Sequence, residues 1–319
     1  MPKFDVTTYG EGQLRYSVPP GQRLEMADKY DVNISGTEAN VTTLLSRLGW
    51  NCGWVSSLPN NPMARRVYNA YMLSGLDLSA VQWKNYGRMA TYYVEYAVPP
   101  RSTNVFYDRT NTCFTNMCNT DVDWDYILDT KILHLSGLTL PLSENTRIII
   151  NEAIDKAKAK NITVSFDVNH RTRLWSTETA RKHLLPILEK VDLLFCGLRD
   201  ARTIFDFSGS PQETLQQLQQ LTSAKHLVMS MSENGLLGWD GQEMIHQPSR
   251  SVIVLDRIGA GDAMVGGVLH GYLQDDFVKG LVYGVTTASM NLSQYGDQLI
   301  TNATELDEVV ATPSGDIIR

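Results

Sequence analysis

Apolar positions along the chain change period several times, and the changes outline the elements. From Thr37, Val41, Leu44, Leu45 and Leu48 fall at i, i+3, i+4 and i+7, which predicts a helix stopped at Gly49. From Arg88 the period drops to two. Ala90 to Val98 and Thr103 to Arg109 are rich in Tyr, Val and Phe around a Pro99-Pro100-Arg101-Ser102 turn, and predict a β-hairpin. Short apolar runs then alternate with amphipathic stretches. Ile132 to Leu135, Thr163 to Val168, Asp192 to Cys196, Leu227 to Met231, Gly235 to Trp239 and Val252 to Leu255 read as strands. Ser143, Thr177 and Gln212 open helices between them, and a long helical region begins at Ala260. Together with the opening strand Lys3 to Tyr9, this predicts an α/β domain with a mostly parallel sheet and helices on both faces.

Composition narrows the reading. With 43% hydrophobic and 20% charged residues, the 319-residue chain is of ordinary globular type. No apolar run approaches the roughly 20 residues of a membrane-spanning helix, and the N-terminus carries no secretory pattern, so a cytoplasmic setting is expected. A net charge of −7 without a basic stripe argues against nucleic-acid and membrane partners. Four cysteines are too few for a disulfide scaffold, and neither they nor the histidines form a metal-ligand set. Asp121, Asp123 and Asp125 alternate as calcium ligands do, but no glycine or distal Glu follows, so a polar turn and helix start is expected there.

The chemistry concentrates in Val252 to Gly267, where a β-branched run enters Gly259-Ala260-Gly261-Asp262 and then a helix. Free backbone N–H groups and the positive helix end converge there, and the small residues admit an oxyanion. An aspartate opposes a bound phosphate unless it takes the proton from an attacking hydroxyl, which makes Asp262 a candidate base for phosphoryl transfer. A tight turn with Asp262 as a helix stabiliser is the alternative on local pattern. The segment is neither a Walker loop nor a dinucleotide fingerprint.

Gly-Ala-Gly-Asp opening a C-terminal helix after Asp-x-x resembles the ribokinase-like (PfkB) carbohydrate kinases, and the resemblance extends over essentially the whole chain. Ser35-Gly36-Thr37-Glu38-Ala39-Asn40 matches the family's sugar segment, with Ser35 in place of its first glycine. Within the family, Asp167-Val168-Asn169-His170-Arg171 with Leu174-Trp175, and Val105-Phe106-Tyr107-Asp108-Arg109, are most similar to 2-keto-3-deoxygluconate kinases. The resemblance implies a three-layer α/β/α sandwich spanning 1–319, with a β lid from 88–109 and a contribution near 11–20. It implies Asp262 as base, Gly259, Ala260 and Gly261 as anion hole, and Gly36, Asn40, Tyr92, Tyr107, Arg109, Arg171 and Asp297 around the sugar. ATP and Mg²⁺ are the implied cofactors, with no protein metal ligands assigned. Tyr107 and Arg109 share one strand face, and an arginine with aromatic rings suits an anionic sugar.

The nucleotide half departs from the family pattern. The family's Asn-x-x-Glu falls on Gly197-Leu198-Arg199-Asp200, and Lys-x-Gly-x-x-Gly on Ser230 to Gly235, leaving Asp200, Ser230, Gly235 and Gly261 as nucleotide-side candidates. Glu233 puts a negative charge beside the phosphates, and Gly284 stands where an Asn is common on the adenine side. Three outcomes stay open: an acid-sugar kinase, a kinase for a neutral sugar such as fructose or ribose, and a sugar-binding protein with a degraded nucleotide site. Exposed edges and apolar residues in the lid lead to the expectation of a homodimer formed through it.

Overall fold

The computed structural model describes residues 2–96 and 98–312; positions 1, 97 and 313–319 of the expected domain and lid spans lie outside the described residues. The strands are β1 (Phe4–Tyr9), β2 (Gln13–Val18), β3 (Asp31–Ser35), β4 (Cys52–Val55), β5 (Ser57–Pro59), β6 (Gln82–Lys84) and β7 (Ala90–Glu95). They continue as β8 (Asn104–Asp108), β9 (Thr130–Ser136), β10 (Thr163–Asp167), β11 (Leu193–Gly197), β12 (His226–Ser230), β13 (Leu236–Trp239) and β14 (Met244–Gln247). The helices are α1 (Thr37–Arg47), α2 (Pro62–Leu73), α3 (Trp124–Ile127), α4 (Glu144–Ala159) and α5 (Thr177–Leu188). After them come α6 (Leu198–Phe205), α7 (Pro211–Gln220), α8 (Ala260–Tyr272), α9 (Phe277–Leu292) and α10 (Ala303–Ala311).

Eight strands form one sheet in the order β14-β13-β12-β11-β10-β9-β1-β4. The ladder is parallel from β12 through to β4, and β13 and β14 add an antiparallel edge. Successive side chains of β11 alternate between two cores. Leu194 and Cys196 pack with Ile150, Leu184 and Leu215 of α4, α5 and α7, while Leu193 and Phe195 pack with Leu45, Val268 and Leu281 of α1, α8 and α9. A sheet covered on both faces therefore needs continuous apolar strands, which is why its runs read so plainly in the sequence.

A second, four-stranded sheet of order β3-β2-β7-β8 stands apart from the first. It contains the hairpin β7–β8 and the segment 13–18, and it also recruits β3, whose polar, partly exposed residues give no strand signal. Val252 to Leu255 is not a strand. Leu255 donates its backbone N–H to the Leu292 carbonyl at 2.8 Å, which ties this run to the end of α9 instead of to a strand, and Ile253 is 83% exposed. Asp123 caps α3 by accepting from the Tyr126 N–H at 3.0 Å, and Asp121 pairs with Lys84, so the alternating aspartates do structural work. No helix among the described residues is long and apolar enough to cross a membrane.

Candidate active site

The carboxyl ends of the parallel strands face the small sheet, and ligands in open α/β sheets bind at those ends. Asp167 closes β10, Gly197 closes β11 and Ser230 closes β12; all three line a cavity of about 350 Å³. The small sheet supplies Gln13, Tyr92, Tyr107 and Arg109 to the same cavity, and the start of α8 supplies Gly259, Gly261 and Asp262. Arg171 and Asp297 complete it, so both predicted arginines reach one space. Gly36 and Asn40 are not among its lining residues: their neighbours Ser35 and Thr37 are, while Asn40 stands behind Asp262.

The glycine turn before α8 has a geometric cause. Gly259 adopts φ +90, and a Cβ there would lie 2.1 Å from the Asp297 carbonyl oxygen, so no other residue fits. A Cβ on Gly261, by contrast, would meet nothing within 4 Å. Its missing side chain leaves room in the cavity rather than in the packing. The first N–H groups of α8 have no acceptor within the helix, so this opening suits an anionic oxygen.

Asp262 is 8% exposed, and its Oδ2 accepts a 2.8 Å hydrogen bond from Asn40 Nδ2. Burial pushes its pKa up to about 7, opposed by the Asn40 bond and the Arg171 charge and assisted by the charge of Asp297. Asp167 is pushed up to about 8, first by burial and then by the charges of Asp262 and Asp200. Asp200 is raised by burial as well, although its Oδ2 accepts from the His170 N–H at 3.2 Å. A carboxyl group that titrates near neutrality is of the type that can take a proton from a hydroxyl, and in its neutral form it repels no anion.

Tyr92 and Tyr107 lie with ring centroids 6.0 Å apart, and the Arg109 guanidinium sits 5.8 Å from the Tyr107 ring. Arg109 is already engaged: Nε and Nη2 contact Glu11 Oε2 at 3.0 and 2.8 Å, and both residues are buried. No described residue pairs with Nη1, which leaves that end for a ligand. The Arg171 guanidinium has no hydrogen bond or ion pair to a described residue. Sequence reasoning missed Glu11 as the anchor, and also Arg15. The latter is fully buried in β2, with Nη2 at 2.7 Å from Asp256 and Nη1 at 3.0 Å from Asp297. Tyr92 donates to Asp297 and Tyr96 to Asp256, so this network ties the small sheet to the turn before α8.

A second cavity of about 780 Å³ adjoins the first on the far side of the α8 terminus. Leu236, Val252, Val254, Met264, Val285 and Leu292 give it an apolar wall, and Ser230, Gly235 and Glu233 line it too. The run Val252 to Leu255, expected as a strand, thus contributes Val252 and Val254 to this wall. Gly284 does not reach it. A Cβ there would meet Val268 at 2.7 Å, so Gly284 serves the contact between α8 and α9. No group of three or more His, Cys, Asp or Glu among the described residues could hold a metal ion by itself. Asp167 and Asp200 both line the first cavity, and the charge of Asp200 contributes to the raised pKa of Asp167; carboxylate oxygens are the donor type that Mg²⁺ takes.

A family model described as pfkB family carbohydrate kinase matches residues 14–304. The chain is similar to the 2-dehydro-3-deoxygalactonokinase of Haloferax volcanii, with 32% identity over 307 residues and 96% of each chain covered. The crystal structure of the 2-dehydro-3-deoxygluconokinase of Thermotoga maritima superposes with a TM-score of 0.87 at 26% identity, covering 97% of this chain and 100% of the other. A putative ribokinase II from Escherichia coli superposes at 0.88 with 19% identity, covering 97% and 99%, and shares the fold.

Proposed function

The chain belongs to the pfkB family of carbohydrate kinases, and from that premise we propose that it transfers the γ-phosphoryl group of ATP to a terminal hydroxyl of 2-keto-3-deoxygluconate or a similar acid sugar. The observation that carries the substrate class is the presence of Arg109 and Arg171 in the wall of one cavity that also holds Asp262. Four aspartates line that cavity, so a carboxylate enters favourably only where guanidinium groups meet it. The names of the two 2-keto-3-deoxy acid kinases described above point the same way.

In this reading the sugar lies against Tyr92 and Tyr107, which line the cavity side by side, with its carboxylate on Arg171 and the free end of Arg109. Asp262 takes the proton of the attacking hydroxyl, and Asn40 fixes the carboxylate that does so. The backbone of Gly259, Ala260 and Gly261 receives the anionic oxygens, with the opening at Gly261 as room for them. ATP occupies the larger cavity: the apolar wall takes the base, and Ser230 and Gly235 approach the phosphates. Asp167 and Asp200 would hold Mg²⁺, which supplies charge neutralisation to the phosphates. An ATP-dependent reaction suits the cytoplasm, where ATP is supplied.

A panel of acid and neutral sugars with ATP and Mg²⁺ tests the assignment. Turnover of 2-keto-3-deoxygluconate or its galacto epimer is expected; turnover of fructose or ribose with the acids inert overturns it. We also propose a homodimer through the outer face of the small sheet, where Tyr16 stacks on Tyr93 at 5.5 Å and Phe106 is 47% exposed. Light scattering that returns a monomer removes this part.

A further inference from the structure

We infer that Arg257 is a further catalytic residue, contacting the phosphoryl group as it passes from the nucleotide cavity to the sugar cavity. Four described residues, Ser230, Arg257, Gly261 and Met264, line both cavities, and Arg257 is the charged one. Any group moving between the two spaces passes this set. The other cation lining the larger cavity is Arg250, and it is occupied: its Nη2 donates to the Val309 and Thr312 carbonyls, each at 2.7 Å. The Arg257 side chain is exposed and makes no hydrogen bond or ion pair to any described residue.

Its backbone is held firmly on both sides. Asp256, immediately before it, is 1% exposed and bound by Arg15, Tyr96 and the N–H groups of Ile258 and Gly296. Gly259, two residues on, is fixed against Asp297. A guanidinium that is free at its tip and anchored at its root, beside an anion-binding turn, is placed to follow charge rather than to hold the fold.

The local charge balance gives it work. Glu233 adds a negative charge to the nucleotide cavity, and the strand end Ser230 to Gly235 contains no lysine. In the transfer, the sugar hydroxyl oxygen bonds to the γ-phosphorus while the bond from that phosphorus to the β–γ bridging oxygen breaks. The hydroxyl proton goes to Asp262, and ADP leaves with the bridging oxygen and its electron pair. In the transition state the negative charge of the moving phosphoryl group is spread over its three equatorial oxygens, at the junction of the cavities where Arg257 stands.

This inference rests on the kinase reading, so its test has two readouts. In steady-state kinetics, Arg257→Ala is expected to lower kcat by about a hundredfold or more, to leave the sugar KM within about threefold and to regain part of its turnover in guanidinium chloride at millimolar levels. Arg257→Lys should retain an intermediate rate. An unchanged kcat, or a rise in sugar KM as the main effect, overturns the inference; the latter would put Arg257 on the sugar carboxylate. The second readout needs no sugar. Calorimetry with Mg²⁺ should show the wild type preferring ATP over ADP and Arg257→Ala losing that preference, whereas equal ratios in the two proteins overturn it. If the wild type phosphorylates no acid sugar, the substrate reading fails while the calorimetric ratio still decides Arg257.

Discussion

Asn40 and Asp262, 222 residues apart in the chain, meet in a buried 2.8 Å hydrogen bond that joins the first turn of α1 to the first turn of α8. The bond favours the charged carboxylate, working against the burial that raises Asp262 to about 7. Asn40→Ala removes it, so the pKa rises further and less of the base is deprotonated at neutral pH. The expected outcome is an acid limb of kcat/KM with its midpoint near 7 in the wild type, moved to higher pH in Asn40→Ala, with turnover largely recovered above the new midpoint. Asp262→Asn should lower kcat by orders of magnitude at every pH. A pH–rate profile that is the same for Asn40→Ala and wild type would sink the assignment.

Arg109 and Arg171 of the sugar cavity separate in the same kind of experiment. A charge-assisted hydrogen bond contributes about 1.5–3 kcal/mol, so Arg109→Ala and Arg171→Ala should each raise KM for an acid sugar by about tenfold to a hundredfold, with no comparable change for an analogue lacking the carboxylate. Arg171 is also among the charges that lower the Asp262 pKa. Arg171→Ala should therefore shift the acid limb upward in addition to raising KM, whereas Arg109 is not among them. Initial rates over pH and sugar concentration check both effects at once.

The alternation of strands and helices was legible because the strands of the large sheet are buried on both faces, as Leu193 to Cys196 shows. The turn at Gly259 to Asp262 was legible for a different reason: its chemistry is local. Pairings across the chain left no such trace. Arg15 sits in an alternating run where a charged residue reads as solvent-facing, and it is buried only because Asp256 meets it from 241 residues away. Glu11 holds Arg109 across 98 residues in the same way. Val252 to Leu255 misled because β-branched apolar residues suit a strand and a ligand-cavity wall alike.

The network around Arg15 makes a stability prediction. Its side chain is 1% exposed against carboxylates of Asp256 and Asp297 that are 0% and 2% exposed. Arg15→Ala leaves both acids buried and without their cation, a loss of about 3–5 kcal/mol for a broken buried pair. Denaturant unfolding should show a clear drop in midpoint. Arg257→Ala, which changes the exposed side chain next to Asp256, should unfold at the wild-type midpoint. Equal loss in the two variants would mean that the turn, not the buried pairing, is what Arg15 supports.

Glu38 carries the last prediction. Burial pushes its pKa up to about 7 from 4.5, the charge of Asp262 adds to the rise, and the Thr139 hydrogen bond and the charge of Arg109 oppose it. Because the folded pKa is above the unfolded one, the folded protein keeps a proton on Glu38 that the unfolded chain has released between about pH 4.5 and 7. The stability from this residue is fully present below that window and is lost as pH rises through it. Glu38→Gln is neutral at every pH and can accept the Thr139 hydrogen bond through its carbonyl oxygen. The variant and wild type should therefore melt close together near pH 5, and the variant should melt higher by a few degrees at pH 8. Thermal melts of the ligand-free proteins at the two pH values measure the difference, and a gap that does not change with pH would show that Glu38 is ionised in the folded state throughout.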